Sequence, residues 1–191
     1  RSVKEKIELP FDYLELRGEV YMSHDDFFKY NDEMEEQGKK PAANPRNLAA
    51  GTLRQLDPKV TKKRGLRMFI FNVQDGPADF MASHTSALAE LNDKGVPVVF
   101  HKKCSTADEV VSAIDEIGST RDGLPFDIDG AVVKIDQVAY RADFPAGAKY
   151  SAGHIAFKYP PEEKRVRMDE IEETVGRTGK IGLIGHISDE K

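Results

Sequence analysis

The sequence holds a single cysteine, Cys104. That scarcity excludes an intrachain disulfide and any metal cluster built on several thiolates, and it fits a reducing compartment. No window approaches the roughly eighteen apolar residues of a membrane span. Arg1 to Pro10 is charged and lacks the apolar core of a secretory signal. The chain also begins without methionine, so its start is expected to be a cut or processed boundary. Several catalytic signatures are missing. There is no Gly-x-x-x-x-Gly-Lys-Ser/Thr loop, no Gly-x-Gly-x-x-Gly run, no His-Glu-x-x-His and no Gly-x-Ser-x-Gly elbow. P-loop chemistry, a Rossmann dinucleotide site, a zincin and an elbow-type hydrolase are therefore unsupported. The 5 histidines show no metal-ligand spacing. Asp25-Asp26 and Asp127/Asp129 could bind Mg2+, but they do not follow the calcium-loop spacing. A net charge of -5 is a poor match for gripping nucleic acid with the whole surface, although local basic patches stay open.

What is present suits one domain with a short appendage: 191 residues, 39% apolar and 32% charged, enough for a packed core. Tyr13 to Met22 alternates, with Leu14, Leu16, Val20 and Met22 on one face, which predicts a strand. Ser23 and Asp26 form a capping box for a helix that Gly38 stops. Asn44-Pro45 reads as a turn before a short helix over 48–56, which Asp57-Pro58 ends. Residues 66–73 read as a buried strand, 86–94 as a helix closed by Gly95, and 96–100 as a short strand. Thr106 and Glu109 cap another helix, closed by Gly118. Further strands are expected over 128–135 and 155–159, with one more around Val166 and Met168. The glycines of 176–185 suggest a loop or domain junction. The irregular alternation predicts an α+β fold with mixed or antiparallel sheets and flanking helices.

Some polar residues are not explained by packing. Arg17 and Glu19 flank Gly18 on one strand face; a solvated sheet face is the plainer reading, but a strand glycine also marks close approach by a ligand. Lys134 shares a strand face with Gly130 and Val132. With a solvent-facing tip and with Val133 and Ile135 anchored in the core behind it, it could reach a phosphate or base from a rigid element. It could equally be an edge-strand charge that blocks aggregation. Lys158 lies in an apolar strand and must snorkel or pair. Arg46, Arg54 and Arg121 offer forks suited to phosphate oxygens, although each alone reads as a surface arginine. His154 reads as structural or solvent-exposed.

Leu16-Arg17-Gly18-Glu19-Val20, Asn44-Pro45-Arg46-Asn47, Ala49 to Asp57, Asp127-Ile128-Asp129-Gly130, Lys134, Ala156-Phe157-Lys158 and Val175 to Gly179 follow one another in a single order. Together they resemble the adenylation domain of bacterial NAD-dependent DNA ligases, over nearly the whole chain. The resemblance implies the covalent nucleotidyltransferase fold shared with capping enzymes. It implies NAD as adenylate donor, with Mg2+, and nicked duplex DNA as partner. In that family a lysine of a Lys-x-Asp-Gly motif attacks the α-phosphorus of NAD and releases nicotinamide mononucleotide. The adenylate passes to the 5′-phosphate of a nick, and the 3′-hydroxyl then displaces AMP. By motif, Glu19 would face the adenosine, and Arg46 would join Lys134 and Lys158 around the nucleotide. Lys134, Lys158, Arg54 and Arg121 would serve the transferring phosphate or the DNA end.

The tetrapeptide Lys-x-Asp-Gly itself does not occur. The resemblance puts it upstream of Arg1, together with a nicotinamide-mononucleotide-binding domain. Further ligase domains, zinc finger included, are expected downstream. Residues 1–173 then read as a partial adenylation domain and 174–191 as a junction toward an oligonucleotide-binding domain. No metal ligand is assigned within the chain, and a cytoplasmic monomer without membrane contact is expected. Ser151 to His154 stands where the family has a Pro-Arg-Trp-like run, and Lys180 to Gly185 where it has a Pro-Val-Ala-like one. The alternative is a non-catalytic nucleotide- or DNA-binding homologue.

Overall fold

In the computed structural model the described residues are 8–147, 152–160 and 165–189, and they fall into two compact units, 1–159 and 160–191. The boundary read at 173/174 lies inside a strand of the second unit, Val166–Val175.

The first unit begins as its alternation predicts. Strand β1 (Glu15–Tyr21) half-buries its even-numbered side and exposes Glu15, Arg17 and Glu19. Ser23 accepts the Asp26 N–H and starts helix α1 (His24–Glu36); Gly38 follows at φ 63, where a side chain would be strained. Two proline signals differ from their reading. Asn44-Pro45 is not a turn but a helix start: Asn44 Oδ1 accepts the Asn47 N–H, Pro45 is the first residue of α2 (Pro45–Leu53), and the helix begins three residues early. Asp57-Pro58 repeats the device. Asp57 caps α3 (Pro58–Lys63), so the pair opens a helix where an ending was expected.

Strand β2 (Arg67–Asp75) pairs antiparallel with β1, and the register shifts between Arg17 and Gly18. A short α4 (Ala78–Met81) leads to α5 (His84–Asp93), capped by Ser83. The strand expected over 96–100 reduces to one parallel bridge, Val98 to Ile70, where the Ile70 N–H donates to the Pro97 carbonyl and the Val99 N–H to the Ile70 carbonyl. Helix α6 (Ala107–Thr120) runs through Gly118 without stopping. That glycine serves packing instead, since a Cβ would sit 2.9 Å from the Tyr159 ring, whose hydroxyl donates to the Ile114 carbonyl. Strands β3 (Gly130–Lys134) and β4 (His154–Lys158) form a second antiparallel ribbon. A 3-10 turn, Val138–Asp143, follows β3.

Two buried clusters hold the unit. Ile70, Val73, Ala87, Leu88, Leu91 and Val96 join β2 to α5 and the loop beyond it. Met22, Phe27, Leu48 and Ala49 join the end of β1 to α1 and α2. Burying a side chain such as Leu88 or Leu91, both 0% exposed, contributes about 1.5–3 kcal/mol each. The fold is α+β with antiparallel ribbons and flanking helices.

The second unit is a hairpin, β5 (Val166–Val175) against β6 (Ile181–Asp189). The glycine-rich stretch is thus a turn followed by strand. Gly179 takes φ 77 in the turn, and the Gly176 N–H donates to the Lys180 carbonyl. No helix of the described residues is long and apolar enough to cross a membrane.

Candidate nucleotide site

Strand β3 is clamped at both ends by groups distant in sequence. Before it, the His24 N–H donates to the Pro125 carbonyl and the His24 Nε2 lies 2.8 Å from Asp127 Oδ1. Phe126 packs its ring against Tyr21 (4.8 Å) and Phe69 (5.4 Å) on the outer face of the first ribbon. After the strand, the Asp136 carboxylate accepts from the Thr85 N–H, the Thr85 hydroxyl and the Ser83 hydroxyl, and Lys103 lies 3.0 Å away. Burial raises the Asp136 pKa, but these hydrogen bonds and Lys103 win and hold it well below the usual carboxylate range. The clamp fixes the faces of β3 against the first ribbon.

Register then places the two lysines. Gly130 pairs with Lys158, Val132 with Ala156, and Lys134 with His154. Opposed residues share a face, so Lys134 and Lys158 project to one side of the ribbon, roughly 13 Å of strand apart. Gly130 is required here for a reason different from ligand approach: a Cβ would run into the Phe157 carbonyl of the partner strand. Gly18 is similar, with Phe69 O and Met68 filling the space a ligand was expected to approach.

The lysine tips meet different surroundings. Lys134 is half-buried; its Nζ donates to the Phe71 carbonyl at 2.8 Å and lies 5.2 Å from the centre of the Phe71 ring. The tip is therefore not solvent-facing as expected. Burial, then the charge of Arg141, pushes its pKa down to about 8. Nor do Val133 and Ile135 enter the buried core; both are half-buried and line an open apolar pocket of about 560 Å³ with Phe144, Pro145 and Ile155. Lys158 is exposed and pairs with Asp129 Oδ2 at 2.7 Å. The Lys158 hydrogen bond holds the Asp129 carboxyl below its ordinary value against the opposing effect of burial, with the charges of Lys158 and, last, Arg46 acting in the same sense as the bond.

Asp129 and Lys158 thus pair at one end of the ribbon, and the charge of Arg46 reaches Asp129. Glu19 is exposed on the outer face of β1 opposite Phe69, the ring that Phe126 and Tyr21 flank. Lys134 reaches Phe71 of β2, two residues along the strand from Phe69 and at the register shift opposite Arg17 and Gly18. Arg54 lies at the far end of α2, roughly 12 Å from Arg46 along the axis, with its Nε donating to the Ala50 carbonyl. Arg121 is half-buried at the C-cap of α6 and opens a 3-10 turn, Arg121–Gly123.

Sequence reading missed Phe126, Asp136, His84 and Arg141. Asp136 carried a signal, a carboxylate directly after an apolar strand facing a Ser-x-Thr cap, but its partners lie some fifty residues upstream (53 and 51). His154 is half-buried, with its Nε2 fully buried and without a protein partner.

The α+β fold of antiparallel ribbons and flanking helices is consistent with the nucleotidyltransferase class, to which the family match assigns it. The chain belongs to the NAD-dependent DNA ligase adenylation domain family, whose profile matches residues 1–162. It is 48% identical over 169 residues to a DNA ligase of Thermoanaerobacter sp. (strain X514), covering 88% of this chain and 26% of that protein. A DNA ligase of Clostridium kluyveri is 42% identical over 182 residues, 95% of this chain and 28% of the relative. One of Clostridioides difficile is 43% identical over 167 residues, 87% and 25% respectively. The chain therefore spans about a quarter of the length of the curated relatives it matches.

Proposed function

We propose that this chain supplies the adenylate-binding face of a ligase that takes its adenylate from NAD and seals nicks in duplex DNA. The observation that carries the reading is the shared face of Lys134 and Lys158 on one strand pair, with Lys134 held on Phe71 of the first ribbon. Glu19 would meet the adenosine and Lys134 would hold the nucleotide from a buried position. Lys158 and Arg46 would take the phosphates, releasing Asp129 as they do so. Charge placed beforehand on a rigid strand stabilises phosphoryl oxygens without reorganisation. Arg54, exposed at the end of α2, and Arg121 are assigned to phosphate or DNA-end contacts.

Adenylyl transfer to the enzyme makes a phosphorus–nitrogen bond to a lysine and breaks the bond to the departing nicotinamide mononucleotide. The Lys-x-Asp-Gly that would supply this lysine is absent from the 191 residues. The chain's own part is therefore binding and orientation. Mg2+ would supply charge neutralisation at the phosphates. Among the described residues no group of three His, Cys, Asp or Glu could hold a metal. An ion bound mainly by phosphate oxygens needs one or two carboxylates, and Asp129 is the one at the Lys158 end that would hold it.

Calorimetry of AMP and NAD binding to this chain tests the reading, together with intact-mass analysis after incubation with NAD and Mg2+. AMP should bind, Lys134→Met and Lys158→Met should each weaken it, and no covalent adenylate should form. An adenylated lysine mapped within these residues would overturn the assignment. The missing tetrapeptide also favours a second reading, a nucleotide-binding homologue without catalysis. Adding a Lys-x-Asp-Gly segment from a relative separates the two: the ligase reading expects self-adenylation to appear, and the binding-only reading expects none.

A further inference from the structure

A second polar cavity lies beside the Lys134 end, and neither lysine-bearing tip of the ribbon lines it. It measures about 240 Å³ and is lined by Asn72 and Gln74 of β2, Met81, His84, Arg141 and His154, among others. Three of its lining residues carry a fully buried polar atom without a protein partner: Asn72 Oδ1, Arg141 Nη2 and His154 Nε2. A buried polar atom left unpaired is costly, and three around one cavity indicate a ligand that satisfies them together.

The charges point the same way. Arg141 is fixed by its Nε, which donates to the Ile135 carbonyl at 2.8 Å, so its remaining donors are held in place. Arg141 depresses Lys134, and burial together with Lys134, Arg141 and His154 pushes His84 down to about 4. Burial, then Arg141 and Lys134, lowers His154 in the same sense. The carboxylate that acts on this group is Asp136, and it is already engaged by Ser83, Thr85 and Lys103. Arg141 therefore brings a positive charge to the cavity wall with no free carboxylate among the lining residues, and an anion balances it.

We propose that this cavity is a binding site for a free oxyanion of phosphate size that carries its own proton, hydrogen phosphate being the simplest. Arg141 Nη2 and an imidazole N–H donate to its charged oxygens. Its P–OH donates to Asn72 Oδ1, an acceptor that a fully ionised oxyanion would leave unmet. A cavity of about 240 Å³ admits such an ion with accompanying water. The site uses groups outside the proposed nucleotide contacts and does not depend on the ligase reading.

The test is a titration of the 191-residue chain with inorganic phosphate near neutral pH, at constant ionic strength, following the histidine imidazoles by NMR. The expected result is a saturable shift of His84 and His154 together, with His24, His101 and His186 unmoved. Sulfate should bind more weakly, because it offers no proton to Asn72. Arg141→Met should weaken phosphate about tenfold or more, the loss of one charge-assisted contact, and Arg141→Lys should recover part of it. If Arg141→Met fails to fold, His154→Leu keeps the arginine and should still weaken phosphate. The proposal is overturned if the two imidazoles do not respond, if sulfate matches phosphate, or if folded variants bind like the parent. It is also overturned if AMP shifts both imidazoles while phosphate does not, which would make the cavity part of a nucleotide site.

Discussion

At one end of the β3–β4 ribbon Lys134 is half-buried, bonded to a backbone carbonyl and crowded by Arg141, with two imidazoles nearby. At the other end Lys158 is exposed and rests on a carboxylate, with Arg46 nearby. Both are lysines on the same face of one strand pair. The contrast teaches that register decides direction, while the packing around each tip decides what its charge costs and what it can do. The buried end holds charge at a cost to stability and is pre-organised. The exposed end holds charge cheaply and is free to exchange one partner for another.

The largest expected effect breaks the buried end. In a chain given an upstream Lys-x-Asp-Gly segment, Lys134→Met should raise the barrier to enzyme adenylation by about 3–4 kcal/mol, by analogy with the loss of one pre-organised donor. The single-turnover rate at saturating NAD measures it. The thermal melt near neutral pH should not fall, because the variant also removes a desolvated cation. A normal rate would leave Lys134 a structural strand residue.

Next, Gly130→Ala should break both ends at once. The added methyl meets the Phe157 carbonyl of the paired strand, so the ladder must part where Lys158 is registered. The cost in unfolding free energy should be about 3 kcal/mol, read by urea denaturation. A loss below about 0.5 kcal/mol, the range of an ordinary surface change, would mean that the strands are not held at this spacing.

The pH dependence sharpens the contrast. His84 is pushed down to about 4 in the fold, against 6.5 ordinarily. Above 6.5 neither state binds the proton and stability is level. As pH falls from 6.5 to about 4 the unfolded chain takes up a proton that the fold refuses, and stability drops. After allowance for partial exposure the loss is about 2 kcal/mol, and His84→Gln should remove most of it in melts across that range. Lys134, at about 8 against 10.5, adds a second window in which stability rises with pH between those values. Lys134→Met should flatten that window alone.

Local signals in the chain were legible where the physics is local. The alternation of 13–22 placed β1, and the Ser23 and Thr106 caps started helices where read. Motif order located both ribbon lysines. What misled was context. Asn44-Pro45 and Asp57-Pro58 carry the same chemistry as turns, and only the following hydrogen bonds make them helix starts. Gly118 is a packing glycine inside its helix, since the Tyr159 ring, 41 residues later, fills the space a Cβ would need. The cavity lined by Asn72, His84, Arg141 and His154 was illegible for the same reason: four segments converge, and none is unusual alone.

The smallest effect tests the exposed end. Asp129 and Lys158 are 75% and 64% exposed at their side chains, so their pairing should contribute little to stability. Asp129→Asn should leave the unfolding free energy within about 0.5 kcal/mol. Its effect on binding should be opposite in sign to that of the lysine variants. Without divalent metal, Asp129 competes with a nucleotide phosphate for Lys158 and Arg46. A unit charge at about 4 Å in water is worth about 1 kcal/mol, so neutralising it should tighten AMP about fivefold. Adding Mg2+ should reverse the sign, since the carboxylate proposed to hold the ion is gone. Calorimetric titrations of AMP with and without Mg2+ measure both. Unchanged affinity in both conditions would mean that the Lys158 end does not receive the phosphates, and the two ends of the ribbon would then differ in location as well as in environment.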